Sequence, residues 1–204
     1  MRDSSKVFKL VETAILMGII IVLQLFASSI PLGAVSFSFV LVPIVLGGIL
    51  AGPSAGALLG LTFGVMTMID GLMALTPGGA FTQALILDHP IITVTLCIAK
   101  ATLAGLGAAV LYKALKKVNR LVAIFVACAA APIINTGIFI IGAFMMSDTL
   151  STMASGAGQS LMYFVFIALA GVNFLVELLV NILFAPVLYS FTRIGFIKKN
   201  HKDL

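Results

Sequence analysis

Tryptophan is absent, histidine and cysteine occur twice each, and only 9% of the 204 residues are charged. Each scarcity excludes something. Soluble domains carry roughly 25% charged residues, so a chain that is 61% hydrophobic does not read as one. Cys97 and Cys128 fall inside apolar runs, which argues against a disulfide framework. Two histidines and two such cysteines give no metal-ligand spacing. No phosphate-cradling loop and no Ser/His/Asp cluster in motif context is present. Neither an ATPase nor a hydrolase is indicated, so any nucleotide-driven motor must come from another chain. A filter-like repeat and ring-forming charges are missing too, which removes the usual marks of an ion channel. Polar stretches are all too short to build a core of their own. The first apolar run lacks a small-residue cleavage site and is expected to belong to the body of the protein.

What charge there is follows a pattern. Arg2, Lys6 and Lys9 precede the first apolar run; Lys113, Lys116, Lys117 and Arg120 lie between two later ones; Arg193, Lys198, Lys199 and Lys202 follow the last. Asp70, Asp88 and Asp148 occupy the alternate polar stretches. Lys and Arg accumulate on the cytoplasmic side of membrane proteins. The net charge of +5 therefore reads as a topology signal and a contact with anionic headgroups, not as a nucleic-acid surface.

A membrane span needs about 20 apolar residues. Six are expected, at about 11–28, 37–51, 53–69, 90–112, 121–146 and 159–191, forming one all-α transmembrane domain over 1–204. Residues 37–69 are uncharged throughout, too long for one ordinary span, and Gly52-Pro53 divides them because proline cannot continue the helical ladder. An even number of spans puts both termini in the cytoplasm, in agreement with every basic cluster. The stretches at 29–36, 70–89 and 147–158 then face outward. Gly48, Gly52, Gly56, Gly60 and Gly64 recur every fourth residue. Small residues so spaced allow close approach of helix backbones, here expected within one bundle.

The twelfth cation, Lys100, lies inside an apolar run, roughly 16–20 Å from either end of its span at 1.5 Å per residue. That exceeds the reach of a snorkelling stem, and charge at such depth marks function. Glu177 lies similarly deep. The two either form a buried ion pair that holds the bundle, or face a cavity in which Lys100 attracts an anionic solute. Asn135 and Asn173, also within apolar runs, suit interhelical hydrogen bonds or solute recognition equally. His89, in Asp88-His89-Pro90, marks the outer entrance of the fourth span and serves either as a helix-start residue or to meet solute at the rim. Asp70 and Asp148 read as solvated loop acids, and Thr76-Pro77-Gly78-Gly79 as a flexible turn and lid.

The order of these features resembles the substrate-binding S components of energy-coupling factor (ECF) vitamin transporters. The resemblance is carried by Leu41-Val42-Pro43 before the glycine-rich spans, and by Lys100 ahead of Gly105 and Leu111-Tyr112-Lys113. Asn135-Thr136-Gly137 and the series Asn173, Glu177, Asn181 and Pro186 continue it. It implies a bacterial cell-membrane subunit that binds a vitamin-like solute, here at Lys100, Asn135, Asn173, Glu177 and His89. A separate transmembrane coupling (T) subunit and two cytoplasmic ATPases would drive uptake. This chain would hold no cofactor, ATP being used by the partners. Ala14 and Gly18 resemble the small-residue motif by which the first helix docks on the coupling subunit. The scarcity of aromatic cage residues, with Tyr112 and Tyr189 near the cytoplasmic side, counts against a cationic ring such as thiamin. A lysine with two amides favours a carboxylate that also bears hydroxyls and an amide, and so pantothenate over folate or cobalamin. Two other classes stand beside this: a self-sufficient secondary carrier, although no internal duplication is evident, and a non-transporting scaffold, for which the glycine ladder alone would suffice.

Overall fold

The computed structural model describes residues 2–27, 31–32, 35–36 and 39–200, with side chains at 6–25 and 39–192. Helix α1 covers Arg2–Ala27, followed by a two-residue antiparallel hairpin of β1 (Pro31–Leu32) and β2 (Val35–Ser36). Then come α2 (Leu41–Leu50), α3 (Pro53–Met73), α4 (Pro77–Asp88), α5 (Pro90–Leu115), α6 (Arg120–Met145) and α7 (Ser147–Gly156). The last apolar run is a single rod: α8 (Leu161–Tyr163), a π-helical segment (Phe164–Gly171) and α9 (Val172–Asn200).

Proline sets three of these starts. Pro53, Pro77 and Pro90 each stand in the first turn of their helices, where the missing N–H has no intrahelical partner to lose. Gly52 makes the α2–α3 turn with φ +109°, a value that side-chain-bearing residues rarely adopt. Asn119 caps α6 by accepting from the N–H groups of Leu121 and Val122 at 3.0 and 3.1 Å.

Five helical runs are long and apolar enough to cross a membrane: Lys6–Leu25, Pro53–Met73, Pro90–Leu115, Arg120–Met145 and Leu161–Thr192. The second expected span is different. Helix α2 has only 10 residues, so it rises about 15 Å, half of a hydrocarbon core. Residues 37 and 38, where that span was expected to begin, and most of the turn at 29–33 lie outside the described residues, as does Lys202.

Four of the five ladder glycines, Gly48, Gly56, Gly60 and Gly64, pack within the bundle, while a Cβ at Gly52, in the turn, would meet nothing within 4 Å. A Cβ added at Gly56 would stand 2.5 Å from the carbonyl oxygen of Gly105, and one at Gly64 would stand 2.7 Å from that of Cys97. Gly60 meets the carbonyl of Ala101 between them. Rising numbers on α3 face falling numbers on α5, so the two helices run antiparallel with backbones in direct contact. Ala104, Ala108, Ala123 and Ala127, all fully buried, continue the close packing towards α6. On the outside, Leu175, Leu179 and Leu183 form an exposed apolar stripe along α9, the surface a lipid-facing helix needs. Arg120 Nη2 donates to the carbonyl of Thr192 at 2.8 Å, so the basic α5–α6 turn and the end of the last span share one end of the bundle.

The polar stretches are more ordered than expected. Residues 77–88 form α4, which lies back against α3 through a Gln83 Nε2 bond to the Leu72 carbonyl at 3.3 Å. The expected flexible turn is the capped start of that helix. Thr76 Oγ1 accepts from Gly79 N at 3.0 Å and donates to Asp70 Oδ2 at 2.6 Å, while Thr76 N donates to Asp70 Oδ1 at 3.1 Å. Asp70 is therefore not a solvated loop acid. It is 9% exposed and anchors the start of α4.

Candidate functional site

A cavity of about 110 Å³ lies in the half of the bundle away from the basic clusters. Its apolar walls come from two packed groups of side chains, through Phe63 of α3, Leu85 of α4, Leu96 of α5 and Leu169 of the π segment. Its polar wall holds Lys100, Asn135, Asn173 and Glu177. Four residues from three well-separated stretches of sequence thus meet around one space.

Their placement follows from the helices. Lys100 lies ten residues into α5, about 15 Å from its start. Its neighbour Ala101 packs against Gly60 of α3, while Lys100 itself lines the cavity. The ammonium stands 5.5 Å from the centroid of the Phe139 ring, a cation–π distance. On α6, Asn135 and Phe139 are one turn apart, so both reach the same wall. On α9, Asn173 and Glu177 share the i, i+4 relation directly after the π segment. That segment widens the helix next to the site, as such insertions often do at functional positions.

Glu177 is 2% exposed. Asn135 Nδ2 donates to its Oε2 at 3.5 Å, and the Asn181 Nδ2 donates to its carbonyl at 2.8 Å. Lys100 lies within electrostatic reach of the same carboxylate. Even so, among the described residues the two do not close to an ion pair within 4.0 Å. The cation and the carboxylate line the same cavity.

The amides are incompletely used. Asn135 Oδ1, Asn173 Oδ1 and Gln24 Oε1 are shielded from solvent and have no hydrogen-bond partner, although all three residues line the cavity. Amide oxygen and nitrogen are interchanged easily in assignment, but a flip would leave another polar atom in the same position. An unpaired buried polar atom costs about 1–3 kcal/mol, and a solute with suitable donors would recover that. Gln24 and Asp70 are cavity residues that sequence reasoning passed over. Gln24 carried the same signal as Asn135, an amide within an apolar run.

His89 does not line this cavity. Its Nε2 lies 3.1 Å from Asp148 Oδ1, joining the α4–α5 junction to α7. Asp88 Oδ2 accepts from Thr149 Oγ1 at 3.0 Å and makes a second link between the same elements. The Asp148 carboxyl is held below its ordinary range, first by the backbone N–H of Thr149 and then by His89. Ala14 and Gly18 lie on the exposed side of α1 and do not line the cavity; a Cβ added at Gly18 would meet nothing within 4 Å. Among the described residues no group of three or more His, Cys, Asp or Glu side chains is arranged to hold a metal ion.

An all-helical membrane protein with a partly polar cavity inside its apolar bundle has the architecture of the solute-handling classes. The family model for the ECF transporter, substrate-specific component, matches residues 8–189, and this chain belongs to that family. It is thus a multi-pass protein of the bacterial cell membrane and a substrate-specific transporter subunit, a family of transporters and not of enzymes. Membership implies a small-molecule substrate and work alongside T and ATPase subunits. Comparison with curated protein sequences returns no match.

Proposed function

We propose that this subunit captures a small carboxylate bearing hydroxyl and amide groups, with pantothenate as the first choice. It would pass that solute to a complex of one T subunit and two ATPases. The observation that carries the reading is the joint presence of Lys100 and three amides with unpaired oxygens around one cavity. In this assignment Lys100 meets the carboxylate. Asn135 and Asn173 take hydrogen bonds from hydroxyl or amide donors, and Glu177 orients both asparagines or accepts from a hydroxyl. His89, which lies outside the cavity lining, is assigned a first contact with arriving solute at the outer end of the bundle. The open volume corresponds to roughly four water molecules at their liquid share of about 30 Å³ each. That scale suits a compact acyclic solute better than a folate or a corrin.

The same reading treats residues 1–204 as one transmembrane domain with six spans and both termini in the cytoplasm, α2 and α3 together supplying a hairpin. The exposed Ala14 and Gly18 are assigned to docking on the T subunit, where small residues admit a second backbone.

Uptake of labelled pantothenate into proteoliposomes tests the assignment. ATP-dependent accumulation is expected only when the T and ATPase subunits are reconstituted with this chain. Accumulation by the chain alone under an ion gradient would point to a carrier. An assembled complex that hydrolyses ATP yet moves no pantothenate would overturn the choice of solute.

A further inference from the structure

Helix α1 has an outer face assigned to docking. Its inner face carries Gln24, and no part of the packing accounts for that residue. Gln24 is 7% exposed, lines the cavity and leaves Oε1 without a partner. It stands one residue from the end of the apolar segment Lys6–Leu25, at the non-basic end of the bundle. A purely structural glutamine there would find a bond to a neighbouring helix, because an unpaired amide in an apolar setting is unfavourable. A leucine or methionine would pack the position without that cost.

We propose that Gln24 is a solute-contact residue that accepts a hydrogen bond from an O–H or N–H donor of the cargo, a role that rests on the solute-binding reading above. Lys100 and Gln24 then define a specificity rule. The cargo carries a negative charge that reaches the mid-depth lysine and a neutral donor that reaches the first helix. A monocarboxylate without such a donor would bind through Lys100 alone and weakly. The first helix would become part of the recognition wall as well as the coupling face.

Calorimetric titration of the purified chain with pantothenate tests this, together with analogues lacking one or the other hydroxyl or with an ester in place of the amide. For Gln24→Met, which keeps chain length and apolar bulk, pantothenate affinity is expected to fall about 10-fold or more, a loss on the scale of one buried hydrogen bond. For the one analogue that lacks the paired donor, wild type and variant should bind alike. Gln24→Asn, with its shorter amide, provides the same comparison should the methionine variant fail to fold. Affinity of a folded variant within twofold of wild type would overturn the assignment. So would equal losses for the parent and all three analogues, which would make the residue a packing element. A folded wild-type chain that binds none of these probes would overturn the solute-binding reading and the role of Gln24 with it.

Discussion

Replacing Lys100 by methionine keeps most of the length of the side chain and removes its charge, and the structure fixes what that should do. The ammonium has Phe139 at 5.5 Å and no carboxylate within 4.0 Å. The cation–π contact, worth roughly 0.5–1 kcal/mol, is present with and without solute, so its loss largely cancels in the binding constant. What does not cancel is the charge-assisted bond to the solute carboxylate, about 1.5–3 kcal/mol. The expected outcome is a rise in the pantothenate Kd of about 10- to 150-fold, from protein that still elutes as a monodisperse species. The loss should disappear when the probe is the uncharged carboxamide of pantothenate, closing a cycle between side chain and ligand. Lys100→Arg should recover part of the affinity, since charge is kept while the compact ammonium geometry is not. A folded Lys100→Met variant that binds the carboxylate within threefold of wild type would refute the reasoning and reduce Lys100 and Glu177 to bundle scaffolding.

Other perturbations separate packing from docking. Gly60→Ala drives a Cβ into the Ala101 carbonyl and the Thr102 backbone, so stability should fall by about 1–3 kcal/mol or more, seen as a lower unfolding temperature in detergent. Gly18→Ala meets open space and should be neutral or stabilising by up to about 1 kcal/mol in the same assay. Ala14→Leu with Gly18→Leu should spare solute binding but prevent co-purification with the T subunit; retention of both properties would remove docking from this face. Asp70→Ala strips the start of α4 of two accepted bonds. A loss of about 1–3 kcal/mol and faster amide exchange over the first turn of α4 are expected.

Hydropathy and the periodicity of small residues carried much of the fold. Apolar runs bounded by basic clusters locate the long helices because lipid permits few alternatives. The glycine ladder was legible because a backbone contact leaves a mark at every fourth position. Helix α2 was overestimated for the opposite reason: an apolar stretch does not disclose where within it the helix begins. Helices α4 and α7 are not legible as helices because composition alone does not separate a short, mixed-polarity helix from a turn. Asp70 was misplaced because its partner, Thr76, lies six residues on, beyond a helix end that no periodicity marks. The π segment leaves no trace in Phe164–Gly171, eight apolar residues that would suit an ordinary helix. Of the candidate site, Lys100 and Glu177 were visible because charge inside an apolar run is conspicuous. That they share one cavity without pairing depends on helix rotation and side-chain direction, which the spacing of charges does not encode.

This chain alone is expected to hold the solute site. The most direct test is an equilibrium titration of the purified, ligand-free wild-type protein in detergent, without T or ATPase subunits, against pantothenate, folate and cobalamin. Saturable one-to-one binding of pantothenate, and not of the two larger vitamins, is the expected result. Silence towards all three from protein shown to be folded would contradict it.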